Sequence, residues 1–125
     1  MAAGLWLACI AASTGALPLE TALRSLVLAP ALEETLFRAG LQHRLSQRLS
    51  AQQANTLTAL FFALTHWLLT PSWLAALTFL VAWCIGHVFQ ATQERLLPCI
   101  ALHALANWIW LASPASAWLQ HIPLR

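Results

Sequence analysis

The sequence predicts an all-α membrane protein, a polytopic bundle of about five transmembrane helices with one short interfacial helix. Three observations lead there. Hydrophobic residues make up 60% of the 125-residue chain and charged residues only 8%, against roughly 25% charged in an ordinary soluble domain. The mean hydropathy is +0.69. The charges are also unevenly placed: no Asp, Glu, Lys or Arg occurs between Leu49 and Gln93, a stretch long enough for two membrane helices of about 20 residues each.

Met1 to Leu19 is uncharged and reads as a first, short span. No Lys or Arg precedes its apolar run, which argues against a secretory signal peptide. Glu20 and Arg24 open a second segment that stays apolar through Leu36 except for Glu33-Glu34, and it is expected to close at Arg38-Ala39-Gly40. Over residues 41–53, Leu41, Leu45 and Leu49 recur four apart with Arg44 and Arg48 on other faces, the pattern of an amphipathic helix lying in the interface. Thr70-Pro71-Ser72 then divides the uncharged stretch into a helical hairpin. Glu94-Arg95 marks the next boundary, and Leu96 to Ala112 forms a last span ended by Ser113-Pro114. These elements use up residues 1–125 as a single domain with no room for a separate soluble one. Following the crossings, Arg38, Arg44, Arg48 and Arg95 share one side and Arg24 and Arg125 the other, so the arginine-rich side is expected to be cytoplasmic. Trp6, Trp73 and Trp118 lie near span ends, where amphipathic rings are favoured.

The net charge of +2 rests on scattered arginines, which make no basic stripe for phosphates, so nucleic-acid binding is excluded. Cys9, Cys84 and Cys99 sit singly in apolar runs and read as small buried hydrophobes.

Ionisable groups inside a span each cost at least a few kcal/mol, so those tolerated here are the natural candidates for chemistry. They are Glu33, Glu34, Arg38, His66, His87 and His103, with Asn107 as a polar companion. Glu34 and Arg38 are four apart with the acid first, the favourable order for a helical ion pair, and read mainly as a pair that holds and orients a site. Glu33 points about 100° away from Glu34 on a helix and has no partner on its own helix, which favours a functional role. His103 and Asn107 share a face one turn apart, and Phe62 and His66 repeat that spacing. Phe62 reads as packing and His87 as structural, while His43 and His121 are interfacial. At 1.5 Å per residue from the arginine-rich side, Glu33 and His103 lie roughly 10 Å deep and His66 roughly 16 Å, so three helices can bring them to one pocket.

These motifs together resemble the CPBP (Abi, CAAX-protease) family of intramembrane proteases. Glu33-Glu34-Thr-Leu-Phe37-Arg38 matches the family's EExxxR with an aromatic before the arginine, Phe62-Ala-Leu-Thr-His66 matches FxxxH, and His103-Ala-Leu-Ala-Asn107 matches HxxxN. Gly86-His-Val-Phe89-Gln-Ala-Thr92 is a softer fourth match ahead of the last helix. Each motif alone is weak, but the ordered set covers residues 30 to 110. The resemblance implies a glutamate-type peptide hydrolase without a cofactor. Carried over residue by residue, Glu33 would activate water with help from His66, His103 and Asn107 would stabilise the oxyanion, and Glu34 and Arg38 would support Glu33. The substrate implied is a protein or peptide with a membrane-associated tail, and small members that process C-terminal sorting tails point to a multi-pass protein of a bacterial cytoplasmic membrane. Many members carry further helices before this core, so the resemblance implies a minimal version whose substrate groove a second copy or an accessory subunit would complete.

Three other readings compete. Glu33, His66 and His103 are also acceptable zinc ligands with water in a fourth position, although no HExxH pair is present. A non-enzymatic membrane protein, for partner binding or bacteriocin immunity, would use the same polar residues as helix glue. A proton-coupled transporter is disfavoured because five short spans leave little material for inverted repeats.

Overall fold

The computed structural model describes residues 18–71 and 73–113. The expected first span and Trp6, Cys9, Trp118, His121 and Arg125 lie outside the described residues. Everything regular among the described residues is helical. The first helix, α1 (residues 19–46), is continuous but unevenly wound. Its α-helical turns Leu19–Leu23, Ala29–Glu34 and His43–Ser46 alternate with π-helical turns Arg24–Leu28 and Thr35–Gln42. Then come α2 (Ala51–Leu69), α3 (Ala75–Ala91) and α4 (Leu96–Leu111).

Local chemistry accounts for the winding. Pro30 has no N–H and its ring crowds the carbonyl four residues back, so the turn before it widens: the Ala29 N–H reaches five residues back to the Arg24 carbonyl. The second π-turn opens at Thr35, whose hydroxyl donates to the Ala31 carbonyl at 2.7 Å and competes with the backbone ladder. Such turns are common at functional sites, and these two flank Glu33 and Glu34.

Two sequence expectations change here. Gly40 does not end α1, because it adopts no left-handed conformation and the His43 N–H continues the wide winding to the Arg38 carbonyl. The interfacial helix expected over residues 41–53 is not a separate element. Its first half finishes α1, and its second half begins α2 behind a capping box in which Ser50 and Gln53 bond each other's backbone N–H. Leucines four apart fit a docked helix end as well as an interfacial helix, and the cap decides between them.

The hairpin and the last helix are present as helices with the expected breaks between them. α2 stops at Leu69 before Thr70-Pro71, and α3 hands over to α4 through Gln93 and Glu94, whose φ angles of 56° and 63° are left-handed. Pro98 lies in the first turn of α4, where its missing N–H costs no ladder bond. No helix among the described residues is long and apolar enough to cross a membrane. α2 begins with Gln52, Gln53, Asn55 and Thr56, while α3 and α4 have 17 and 16 residues, about 24–26 Å at 1.5 Å each.

Two apolar clusters hold the bundle. Phe37, Ala59, Phe62 and Ala82 join α1, α2 and α3. Ile85, Phe89 and Cys99 join α3 to α4. Gly86 leaves room on α3 for the side chains of α1 and α2: a Cβ there would overlap Asn55 Oδ1 and come within 2.9 Å of Gln42 Oε1. The outer surface is also apolar, with Leu32 and Leu36 of α1 71% and 66% exposed and Leu60, Leu64 and Leu68 of α2 also exposed.

Candidate active site

The polar residues turn inward. Glu34, Arg38 and Gln42, four apart on α1, are each 0% exposed. Arg38 Nε donates to Glu34 Oε2 at 2.8 Å, Nη1 to Gln42 Oε1 at 3.0 Å and Nη2 to the Ala82 carbonyl at 2.9 Å. Gln42 Nε2 donates onward to the Gly86 carbonyl at 3.1 Å. The step Arg38–Gln42 on α1 therefore faces the step Ala82–Gly86 on α3, both one helical turn, and the match fixes the register between the helices. The other Glu34 oxygen accepts from His103 Nδ1 on α4 at 2.7 Å. A buried ion pair, which stabilises only when its remaining polar atoms are also bonded, is here bonded at both ends.

Those bonds set the tautomers of the two histidines. A carboxylate only accepts, so His103 Nδ1 carries its proton and Nε2 of the neutral ring is a lone pair. His66 repeats the arrangement, with Nδ1 held by the Phe62 carbonyl at 3.0 Å, which again leaves Nε2 as the acceptor in the neutral ring. Both Nε2 atoms lie 3.7 Å from Glu33 Oε2. That oxygen is itself buried and has no hydrogen-bond partner. At 3.7 Å none of these contacts is a direct hydrogen bond, so three acceptors converge without a donor among them. Phe62 forms the wall: its ring stacks on His66 at 4.3 Å and meets His103 and Phe37 edge-on at 5.7 Å and 5.0 Å. The site is open on one side, with the Glu33 and His66 side chains 31% and 34% exposed against 6% for His103.

The fold thus brings Glu33, His66 and His103 together from α1, α2 and α4, with Glu34 and Arg38 behind them. Asn107 lies one turn beyond His103, and its Nδ2 donates to the Ser25 carbonyl in the first π-turn at 2.9 Å. His87 lies apart, exposed and edge-on to Trp83 at 4.2 Å. Among the described residues no group of three or more His, Cys, Asp or Glu is arranged to hold a metal ion.

Sequence reasoning missed Gln42, Asn55 and Ser25. Gln42 carried a signal, since it extends the spacing of Glu34 and Arg38 by four more residues. Asn55, fully buried on α2 with Nδ2 on the Trp83 carbonyl at 3.0 Å, had none. Ser25 contributes only its backbone.

Comparison with known proteins gives one family. The model of the Rce1-like type II CAAX prenyl endopeptidases matches residues 15–109, which include every residue of the three motifs. No curated protein and no solved structure matches the chain. The match covers most of the chain, and the protein belongs to the Rce1-like family of type II CAAX prenyl endopeptidases, a family of peptide hydrolases.

Proposed function

We propose that this protein is an intramembrane endopeptidase of the glutamate type, which hydrolyses a peptide bond near the C-terminal tail of a membrane-associated protein without a metal ion. The observation that carries this reading is the convergence of the unpartnered Glu33 Oε2 with the Nε2 atoms of His66 and His103, each 3.7 Å away. A water bound to Glu33 Oε2 lies within reach of both rings and can give its second hydrogen to His66 Nε2. As the water oxygen attacks the scissile carbonyl carbon, Glu33 takes its proton and later returns it to the leaving amine. His66, fixed by the Phe62 carbonyl, orients the water.

The oxyanion needs donors. With its Nδ1–H given to Glu34, His103 donates from Nε2 once a proton taken up from solvent on the open side of the site makes it the imidazolium, whose charge the buried Glu34 carboxylate offsets at 2.7 Å. Asn107 Nδ2 has a second N–H besides the one given to Ser25, and it is the other donor. Each such donor in a site shielded from water contributes a few kcal/mol.

The bilayer is the proposed solvent. Large apolar side chains cover the outside of all four helices while the Glu34–Arg38 pair is buried, the inverse of a water-soluble bundle. The multi-pass arrangement, the cytoplasmic side for the arginine-rich end with Arg38, Arg44, Arg48 and Arg95, a bacterial inner membrane, a C-terminal sorting tail as substrate and a second copy or accessory subunit completing the groove belong to the same proposal. To test the function, tailed membrane substrates are co-expressed with the wild type, Glu33→Gln and His103→Ala at matched membrane levels. Cleavage by the wild type and by neither variant is expected, and cleavage persisting in both would overturn the proposal.

A further inference from the structure

Asn107 is not held by its own helix. Its amide crosses to the Ser25 carbonyl of α1 at 2.9 Å, 82 residues away in sequence. That carbonyl is free for a specific reason. In the π-turn before it, the Ala29 N–H bonds the Arg24 carbonyl. The next rung of the same winding would join the N–H of residue 30 to the Ser25 carbonyl. Residue 30 is proline, buried in the bundle, and has no N–H to give. A carbonyl left without its rung at a helix–helix contact attracts another donor, and Asn107 is the donor in this fold.

We propose that Pro30 is a positioning residue for Asn107: by withholding a backbone N–H it keeps the Ser25 carbonyl open, and that carbonyl takes one Nδ2 hydrogen and aims the other at the scissile carbonyl's oxygen. This rests on the oxyanion role proposed for Asn107. The device couples the helix that carries Glu33 to the one that carries the oxyanion donors, so base and donor keep their spacing when the bundle moves. Pro30 precedes Glu33 by three residues, and the proline that widens the winding is the one that frees the carbonyl.

The test restores the missing donor. Pro30→Ala and Pro30→Leu both supply an N–H to Ser25 with different side chains, so an effect common to both belongs to the N–H. The full chain in detergent micelles is assayed for kcat and KM, for unfolding midpoint, and for asparagine side-chain amide resonances. The chain has only two asparagines, Asn55 and Asn107, so the spectrum is readily assigned. Both variants are expected to lose about 10-fold or more in kcat, as a misaimed oxyanion donor should, with KM little changed and the midpoint no lower than that of the wild type. The Asn107 amide resonances are expected to shift while those of Asn55 stay. In an Asn107→Leu background Pro30→Ala is expected to cause no further loss, whereas an additional loss there would mean that it acts through Glu33 and would overturn the proposal. Unshifted Asn107 resonances would overturn it too, and that readout needs no activity, so it stands apart from any failure of the protease reading.

Discussion

Replacing Arg38 by methionine tests the buried network behind the site. Methionine keeps an unbranched apolar stem of similar reach, but it removes the N–H groups bonded to Glu34, Gln42 and the Ala82 carbonyl. The dominant consequence falls on Glu34. Its carboxylate is 0% exposed and would face His103 alone, at 2.7 Å. Breaking a buried pair from one side typically costs 3–5 kcal/mol, and the low exposure here argues for about the upper part of that range. The double variant Glu34→Gln/Arg38→Met removes the orphaned charge as well, and should recover about 2 kcal/mol of the loss through the coupling expected of contacting residues. Equilibrium unfolding in mixed detergent micelles, followed by far-ultraviolet circular dichroism, measures both. An Arg38→Met protein within 1 kcal/mol of the wild type, or a double variant no more stable than the single one, would refute the reasoning.

Gly86→Ala should destabilise the bundle by about 2–4 kcal/mol in the same assay: overpacking costs about 1–3 kcal/mol, and moving Asn55 from the new Cβ also strains its bond to the Trp83 carbonyl, worth about 1 kcal/mol. Glu94→Gln, which neutralises the contact to His43 Nδ1 at 2.7 Å between side chains 44% and 45% exposed, should change stability by less than about 1 kcal/mol. Cleavage should survive exhaustive chelation in detergent without loss of rate, and a rate abolished by chelator and restored by zinc would replace the metal-free mechanism.

Much of this fold is legible in the sequence because lone charges and breakers carry strong signals in an apolar chain. Thr70-Pro71 and Glu94-Arg95 give the end of α2 and the start of α4 within a residue, while α3 starts four residues after Pro71 and ends three before Glu94. The winding of α1 is not legible in that way. Hydrophobic periodicity distinguishes helix from strand, but a π-turn differs from an α-turn by one residue and is set here by a proline and a threonine hydroxyl. The site divides along similar lines. Glu33, His66 and His103 stand out because an ionisable residue in an apolar run needs a reason. The Phe62 and Ser25 carbonyls are invisible, since every residue has one and only the fold decides which lacks its ladder partner. Asn55 is an uncharged amide of the sort that also occurs at helix ends, and burial alone reveals it, whereas Gln42 continues the four-residue spacing of Glu34 and Arg38.

Isotope transfer from the solvent tests the central claim, that Glu33 activates water for attack on a peptide bond, most directly. A substrate cleaved by the co-expressed enzyme is digested in water enriched in oxygen-18 by purified wild type and by Glu33→Gln, and both the rate and the mass of the new C-terminus are read. The account predicts one heavy oxygen in the wild-type product and a rate lowered about 100-fold or more in the variant, the typical contribution of a general base. A Glu33→Gln protein that cleaves and incorporates the label at the wild-type rate would contradict it.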